Sequence, residues 1–308
     1  MTDVSTIAFV GLGNMGFPMV ANLVSAGFSV RGFDVSKAAV AKVRTVGAVG
    51  AASAADAAAG ADVVILMLPN SRIVASVIEG LTAESALAPG TIVVDMSSSE
   101  PVATQDLATQ LDTIGVGLVD APVSGGVTGA QKGSLAIMAG GSDEGVERVS
   151  RVLAALGNVT RTGPVGSGHA VKAFNNLLSA THLWATSEVM IAGKKFGLDP
   201  EIMLEVFNHS SGRSGSTENK WPNFILGETY NSGFGLALML KDMRIALGLA
   251  EATDAPHQLG SEAVALWAQA AADLDPAADH TEVARWLTAR SAPSATSNTV
   301  EEDSPMRG

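Results

Sequence analysis

The segment GHAVKAFNNLL, residues 168–178, sets one lysine and two asparagines inside an otherwise apolar helical stretch. At 100° per residue Lys172, Asn175, Asn176 and Ser179 share one narrow stripe, with Val171, Phe174, Leu177 and Leu178 on the opposite side. A lysine amine can accept or donate a proton. An asparagine one turn away can orient it and a substrate without adding charge. Two readings of the stripe stand. It is either a solvated helix face or a polar wall turned into a cleft, where apolar surroundings disfavour the ammonium and bring its pKa towards neutrality.

A second set of chemistry-bearing residues lies near the start. GLGNMG, residues 11–16, falls between the β-branched run STIAFVG and the helical spacing of FPMVANLVSAG, which ends at Gly27. In that context Gly11 permits a tight turn, Gly13 lets a pyrophosphate approach backbone amides, and Gly16 lets helix and strand pack closely. Asp34 ends the next strand-like run about 20 residues on, where a carboxylate can accept both ribose hydroxyls of NAD and repel the 2′-phosphate of NADP. Arg31 and Ser36 soften that preference, and a turn residue or helix N-cap is the ordinary alternative for Asp34.

Three more polar stretches follow apolar strands: MLPN (67–70), DMSSSEP (95–101) and DAPVSGG (120–126). Ligands of parallel sheets gather at such carboxyl ends. Ser124, Gly125 and Gly126 offer a hydroxyl and two unhindered amides, a design for a carboxylate, although a glycine-rich turn alone has the same composition.

The elements that must position these groups alternate strand and helix through residue 164 or so, with strands in FSVRGFD, ADVVILMLP, GTIVVDMSS and GVGLVDAPVSGG. The pattern predicts an α/β fold: a Rossmann-type doubly wound parallel sheet over residues 1–164, with an all-helical domain over 165–290. Helical spacing covers 168–196, 200–208, 236–252, 257–272 and 280–290. The first of these follows GPVGSG, a joint that puts Lys172 at the domain boundary facing the cleft. SSGRSGSTENKWP (210–222), with Arg213, Glu218, Asn219 and Lys220, borders that pocket, and the apolar-poor residues 291–308 read as a disordered tail.

A chain of 308 residues, 47% hydrophobic, buries a large core. Its net charge of −12, with 19 Lys+Arg against 31 Asp+Glu, argues against a nucleic-acid partner. The absence of cysteine excludes disulfides and thiolate ligands and is compatible with a cytoplasmic location; five scattered histidines show no metal-ligand spacing, so no metal is expected. The start lacks a basic signal region, and no apolar run is long enough to suggest a membrane span.

Taken together, FVGLGNMGFPMVANLVSAG, DAPVSGGVTGAQKGSLAIMAGG, GSGHAVKAFNNLL and LMLKDMRIAL resemble, in order, the cofactor, substrate, catalytic and late-lysine motifs of the β-hydroxyacid dehydrogenases, over residues 5–290. The resemblance implies that Lys172 is the catalytic lysine, that Asn176 helps fix the substrate and that Ser124, Gly125 and Gly126 hold its carboxylate. It implies that NAD, rather than NADP, is held by Gly11, Leu12, Gly13, Asn14, Met15, Gly16 and Asp34, and is lined by Leu68, Pro69, Ser98 and Lys241. Ser98 departs mildly from the family's common threonine, and Ile73 stands where relatives carry asparagine. The implied reaction moves a hydride between NAD and a small anionic 3-hydroxy acid, of the type of 3-hydroxyisobutyrate, glycerate, threonate, serine or dihydroxypropanesulfonate. A non-catalytic dinucleotide sensor is the rival class. The resemblance also implies a homodimer or homotetramer, and LMLKDMRIALGLA and GSEAVALWAQAAA are expected to supply exposed apolar surface.

Overall fold

A computed structural model describes residues 4–291; apart from Ser291, the tail expected to be disordered lies outside the described residues. The chain opens with β1 (Thr6–Val10), α1 (Gly16–Ser25), β2 (Ser29–Phe33), α2 (Lys37–Val43), a 3-10 turn (Arg44–Val46), β3 (Val49–Gly50) and α3 (Ala54–Ala58). It continues through β4 (Val63–Leu66), α4 (Ser71–Ala83), β5 (Ile92–Asp95), α5 (Pro101–Asp112) and β6 (Gly117–Asp120). Next come β7 (Val123–Ser124), α6 (Gly126–Lys132), β8 (Leu135–Gly140), α7 (Asp143–Arg148), α8 (Ser150–Ala154) and β9 (Gly157–Gly163). The helical half comprises α9 (Ser167–Phe196), α10 (Pro200–Asn208), a π-helical segment (Ser216–Ile225), α11 (Leu236–Ala252), α12 (Gln258–Asp273) and α13 (Glu282–Arg290).

The sheet order is β3-β2-β1-β4-β5-β6-β8-β7, with β9 beside β8. Strands β1 to β6 are parallel, and β1 is flanked by β2 and β4, so the winding reverses beside it. Ile7 and Phe9 enter one apolar core with Met19 and Leu23, whereas Ala8 and Val10 enter the opposite one with Val74 and Ile78. Covering both faces explains why these strands read as continuous apolar runs. The doubly wound sheet is therefore as the alternation suggests, but its far edge is mixed: β8 runs antiparallel to β6 and β7 and parallel to β9. Short β3 and α3, together with β8 and β9, escaped the periodicity reading because two-residue and glycine-bounded strands carry too little pattern.

In the helical half, Trp184 packs against Trp267 and Trp286, with ring centroids 6.3 and 5.9 Å apart. Asp199 caps α10 by accepting from the amides of Glu201 and Ile202, behind a proline at the first helical position. The two apolar runs expected to be exposed mostly feed this core: Met239, Leu240, Met243, Ala263, Trp267 and Ala270 are buried, while Leu238 is 47% exposed. Burial along α9 decides between the two readings of its polar stripe. Lys172 and Asn176 are 6% and 5% exposed, whereas Val171, Phe174 and Leu178 are 43%, 40% and 59% exposed. At Lys172 and Asn176 the polar stripe is thus an interior wall, as the cleft-facing reading expects, whereas Ser179 is partly buried and Asn175 is exposed.

Candidate active site

The glycine turn has little slack. Gly11 lies at φ +100°, and a Cβ there would meet the Met67 carbonyl oxygen at 2.2 Å; one on Gly16 would meet the Gly11 carbonyl oxygen at 1.9 Å. Any side chain at either position would push the ends of β1 and β4, or β1 and α1, apart. Gly13 differs, since a Cβ there would find no atom within 4 Å, leaving its backbone open to an approaching ligand. Asp34 tightens the same turn: Oδ2 accepts from the Leu12 amide at 2.7 Å and Oδ1 from the Ser36 amide at 2.8 Å. The carboxylate therefore shapes the turn as well as standing at the end of β2, and Ser36, not Asp34, caps α2. Arg31 is engaged elsewhere, donating to the Ala59 carbonyl.

At the carboxyl ends of β5 and β6, register pairs Asp95 with Asp120, both essentially inaccessible. Burying two carboxylates is tolerable only if donors surround them. Asp95 accepts from the Ser97 amide at 2.9 Å and the Ser99 hydroxyl at 2.7 Å, and the Ser97 hydroxyl in turn accepts from the Leu68 amide at 2.9 Å. Asp120 accepts from the amides of Gly166 at 2.7 Å and His169 at 2.9 Å, satisfying orphan donors at the start of α9. The buried His169 ring meets the Thr104 hydroxyl through Nδ1 at 2.9 Å and donates through Nε2 to the Ser97 carbonyl at 3.1 Å. Gly168 allows the close approach: a Cβ there would lie 2.2 Å from the Met138 carbonyl oxygen of β8. These anchors were not identified in the sequence reading. An aspartate ending each of two adjacent apolar strands, with a histidine just after the GPVGSG joint, was the available signal.

Lys172 projects one turn beyond His169 into the helical half. Among the described residues no acceptor lies within hydrogen-bond reach of its Nζ, which sits 5.9 Å from the centroid of the Phe234 ring. Burial pushes the amine below the ordinary lysine range; Asp242 pulls it back up and Lys241 pushes it further down. Asn176 donates to Asp242 Oδ2 at 2.6 Å, and Asn175 donates to the Asn176 oxygen at 3.3 Å. Lys241 lies 3.4 Å from Asp242 Oδ1 and crosses to the sheet, donating to the carbonyls of Ser98 at 2.8 Å and Pro69 at 3.3 Å.

The structure therefore gathers Lys172, Asn176, Lys241, Pro69 and Ser98 at one junction, with Leu68 tied in through Ser97. Ser124 to Gly126 stand on the neighbouring β7–α6 corner; Ser124 pairs in register with Ala136 of β8, and Gly125 and Gly126 take φ +127° and +60°. They make no hydrogen bond to the lysine cluster among the described residues. A Cβ on Gly126 would again meet open space, which leaves the corner accessible. Phe234, unforeseen from the sequence, is held by Asp279, whose Oδ2 accepts from the amides of Gly233 at 2.8 Å and Phe234 at 3.2 Å. Among the described residues no three His, Asp or Glu side chains form a metal-binding group, and no helix is long and apolar enough to cross a membrane.

Comparison with known proteins adds an independent line. A family model described as the NAD binding domain of 6-phosphogluconate dehydrogenase matches residues 6–190, and one described as the NAD-binding of NADP-dependent 3-hydroxyisobutyrate dehydrogenase matches residues 166–287. A 2-(hydroxymethyl)glutarate dehydrogenase of Eubacterium barkeri is 40% identical over 243 residues, covering 78% of this chain and 81% of its own. An NAD-dependent L-serine dehydrogenase of Pseudomonas aeruginosa is 38% identical over 271 residues, covering 85% and 90%. The solved structure of Mycobacterium tuberculosis 3-hydroxyisobutyrate dehydrogenase with L-serine aligns at a TM-score of 0.87 and 34% identity, covering 92% of this chain and 99% of that one.

The electrostatics of Lys172 can be read directly by titrating the isotopically labelled lysine side chains by NMR. The Lys172 midpoint is expected below that of exposed lysines. Lys241→Met, which removes a like charge, should raise it, and Asp242→Asn, which removes the opposing carboxylate, should lower it further. Shifts of the opposite sign in either variant would contradict the geometry.

Proposed function

The chain belongs to the β-hydroxyacid dehydrogenase family, and from that premise we propose that it moves a hydride between NAD and the carbinol carbon of a small 3-hydroxy acid, with Lys172 moving the proton. The observation that carries this reading is a buried lysine amine with no acceptor among the described residues, one turn from a buried asparagine, where the helical half meets the ends of β4 and β5. The open backbone at Gly13 and the Asp34 carboxylate beside the turn fit a dinucleotide.

When bound, the nicotinamide exchanges the hydride with the substrate's carbinol carbon. Lys172, held uncharged more readily than an exposed lysine, accepts the hydroxyl proton during oxidation and returns it to the carbonyl oxygen in reduction. Asn176, fixed by Asp242, orients the lysine and the substrate hydroxyl. Ser124 and the amides of Gly125 and Gly126 receive the carboxylate, and Lys241, already donating to the Ser98 and Pro69 carbonyls, would help hold the cofactor there. Leu12, Asn14 and Met15 would join the three glycines in holding the cofactor's pyrophosphate, and Leu68 would line the cofactor with Pro69. The substrate is sought among 3-hydroxyisobutyrate, L-serine, glycerate, threonate, dihydroxypropanesulfonate and 2-(hydroxymethyl)glutarate. The outer face of α9, with Val171, Phe174, Leu178 and Val189 exposed, supports a homodimer.

Three measurements test this proposal. Lys172→Ala should lower kcat by about 10² to 10⁴ while leaving the NAD Kd nearly unchanged, and retention of more than about a tenth of wild-type turnover would remove Lys172 from the mechanism. Asp34→Asn keeps an acceptor for the Leu12 amide but removes the charge, so the NADP/NAD ratio of kcat/KM should rise; a constant ratio excludes Asp34 as the selector. Light scattering at micromolar concentration should give at least twice the chain mass, and a monomer would refute the assembly.

A further inference from the structure

The segment between α10 and α11 carries more polar residues than a small monoanionic substrate needs, and most of them face away from the site. Arg213 pairs with Glu218 at 2.9 Å, and Asn223 donates to Asn219 at 2.8 Å, both on the exposed side. Lys220 alone among the charged residues of 213–220 turns inward. It lies on the π-helical segment Ser216–Ile225, a rare winding that is frequent at functional sites, and its Nζ donates to the Ser179 hydroxyl at 2.7 Å.

Ser179 is the last member of the polar stripe that begins at Lys172. Seven residues of α-helix separate the two by about 10 Å of rise, nearly in line. Phe234 closes one side, 5.9 Å from Lys172 Nζ and edge-on to His280 at 5.7 Å. Beyond His280 stands Asp279, whose field reaches Lys220 but whose oxygens are engaged elsewhere. Its Oδ1 accepts from the Ser232 hydroxyl at 2.8 Å, the Thr281 amide at 3.0 Å and the Thr281 hydroxyl at 2.6 Å. Oδ2 accepts from the Ser232 hydroxyl at 2.9 Å and from the amides of Gly233 and Phe234. No carboxylate among the described residues lies within 4 Å of Lys220 Nζ. A half-buried ammonium has three donors, and here a single neutral hydroxyl accepts from it. Burial pushes its pKa down to about 8, against the pull of Asp279, so it still carries its charge at neutral pH. A half-buried cation with no carboxylate in contact has lost part of its hydration without a counter-ion, and an incoming anion relieves that cost.

We propose that Lys220 is a specificity-determining residue that receives a second anionic group at the far end of the substrate, so that the preferred substrates are 3-hydroxy acids bearing two negative charges. The proposal rests on the Lys172-centred reading of the site. One end of such a substrate would present its hydroxyl to Lys172 and its first carboxylate to Ser124–Gly126. Its second anion would lie along the α9 stripe against Lys220 and Ser179.

The test uses the full chain loaded with NAD and two unreactive five-carbon probes, glutarate with two carboxylates and valerate with one. Wild type should bind glutarate at least about tenfold tighter than valerate, the effect of one charge-assisted hydrogen bond. Lys220→Met and Lys220→Gln should abolish that preference, and Lys220→Arg should retain most of it. In turnover, the neutral variants should raise KM for a dicarboxylic 3-hydroxy acid at least about tenfold more than for a monocarboxylic one, with kcat changing far less. Equal binding of the two probes by wild type, or parallel weakening of both in the neutral variants, would overturn the assignment. So would failure of both neutral variants to fold, which would make Lys220 a structural tie. Because probe binding needs no turnover, failure of the catalytic reading would show separately, as an enzyme that prefers glutarate but oxidises none of the acids.

Discussion

Asp120 is a fully buried carboxylate whose oxygens accept from the first free amides of α9, those of Gly166 and His169. An isolated carboxylate in that position would cost several kcal/mol. Two backbone donors and the positive end of a 30-residue helix make it tolerable, and the same contacts fix where the helix begins and how it is rotated. Rotation is the decisive quantity. At 100° per residue, a helix set about one residue out of phase would carry Lys172 out of the junction and bring Val171 or Ala173 in. His169 secures the same turn through its ring, bonded on one side to Thr104 and on the other to the Ser97 carbonyl. The carboxyl ends of β5 and β6 thus aim the lysine, although it belongs to the other half of the chain.

Much of this was legible in advance. The bounds of α9, α10 and α11 follow from a glycine or proline at each start and an unbroken helical period, and the structure reproduces them within a residue or so. Gly11, Gly13 and Gly16 also declare their roles, because a turn between strand and helix leaves few other reasons for that spacing. Which side of α9 faces inward was only partly legible. The GPVGSG joint turned Lys172 towards the cleft, but that Phe174 and Leu178 lie outside follows only once Asp120 and the β8 contact at Gly168 set the rotation. The apolar runs of α11 and α12 were misread as surface for a related reason: a helix buried on most sides and one awaiting a partner have the same composition. The mixed edge of the sheet and the π-helical turn depend on pairings distant in sequence, which short-range periodicity does not encode.

The charge distribution sharpens the contrast between chain and site. The whole protein carries −12, yet the polar stripe of α9 has Lys172 and Lys241 at one end and Lys220 at the other. Of the nearby carboxylates, Asp242 is shared between Asn176 and Lys241, and Asp279 is occupied by loop amides and hydroxyls. An acidic exterior therefore surrounds a pocket whose unneutralised groups are cationic. Such an arrangement depends on short-range contacts for anion capture, because the summed field of the surface opposes the approach of a small anion while the focused field inside the cleft favours it.

Lys241 has a mechanical consequence. Its bonds to the Ser98 and Pro69 carbonyls pin α11 to the sheet, and the Asp120 cap with the close fit at Gly168 pins α9 to it separately. The His169 ring adds a third tie through Thr104 and the Ser97 carbonyl, so the attachments do not lie on one line and leave no hinge between the start of α9 and the strand ends. The amine of Lys172 and the carbonyls of Ser98 and Pro69 therefore share one frame, although they come from different halves of the chain.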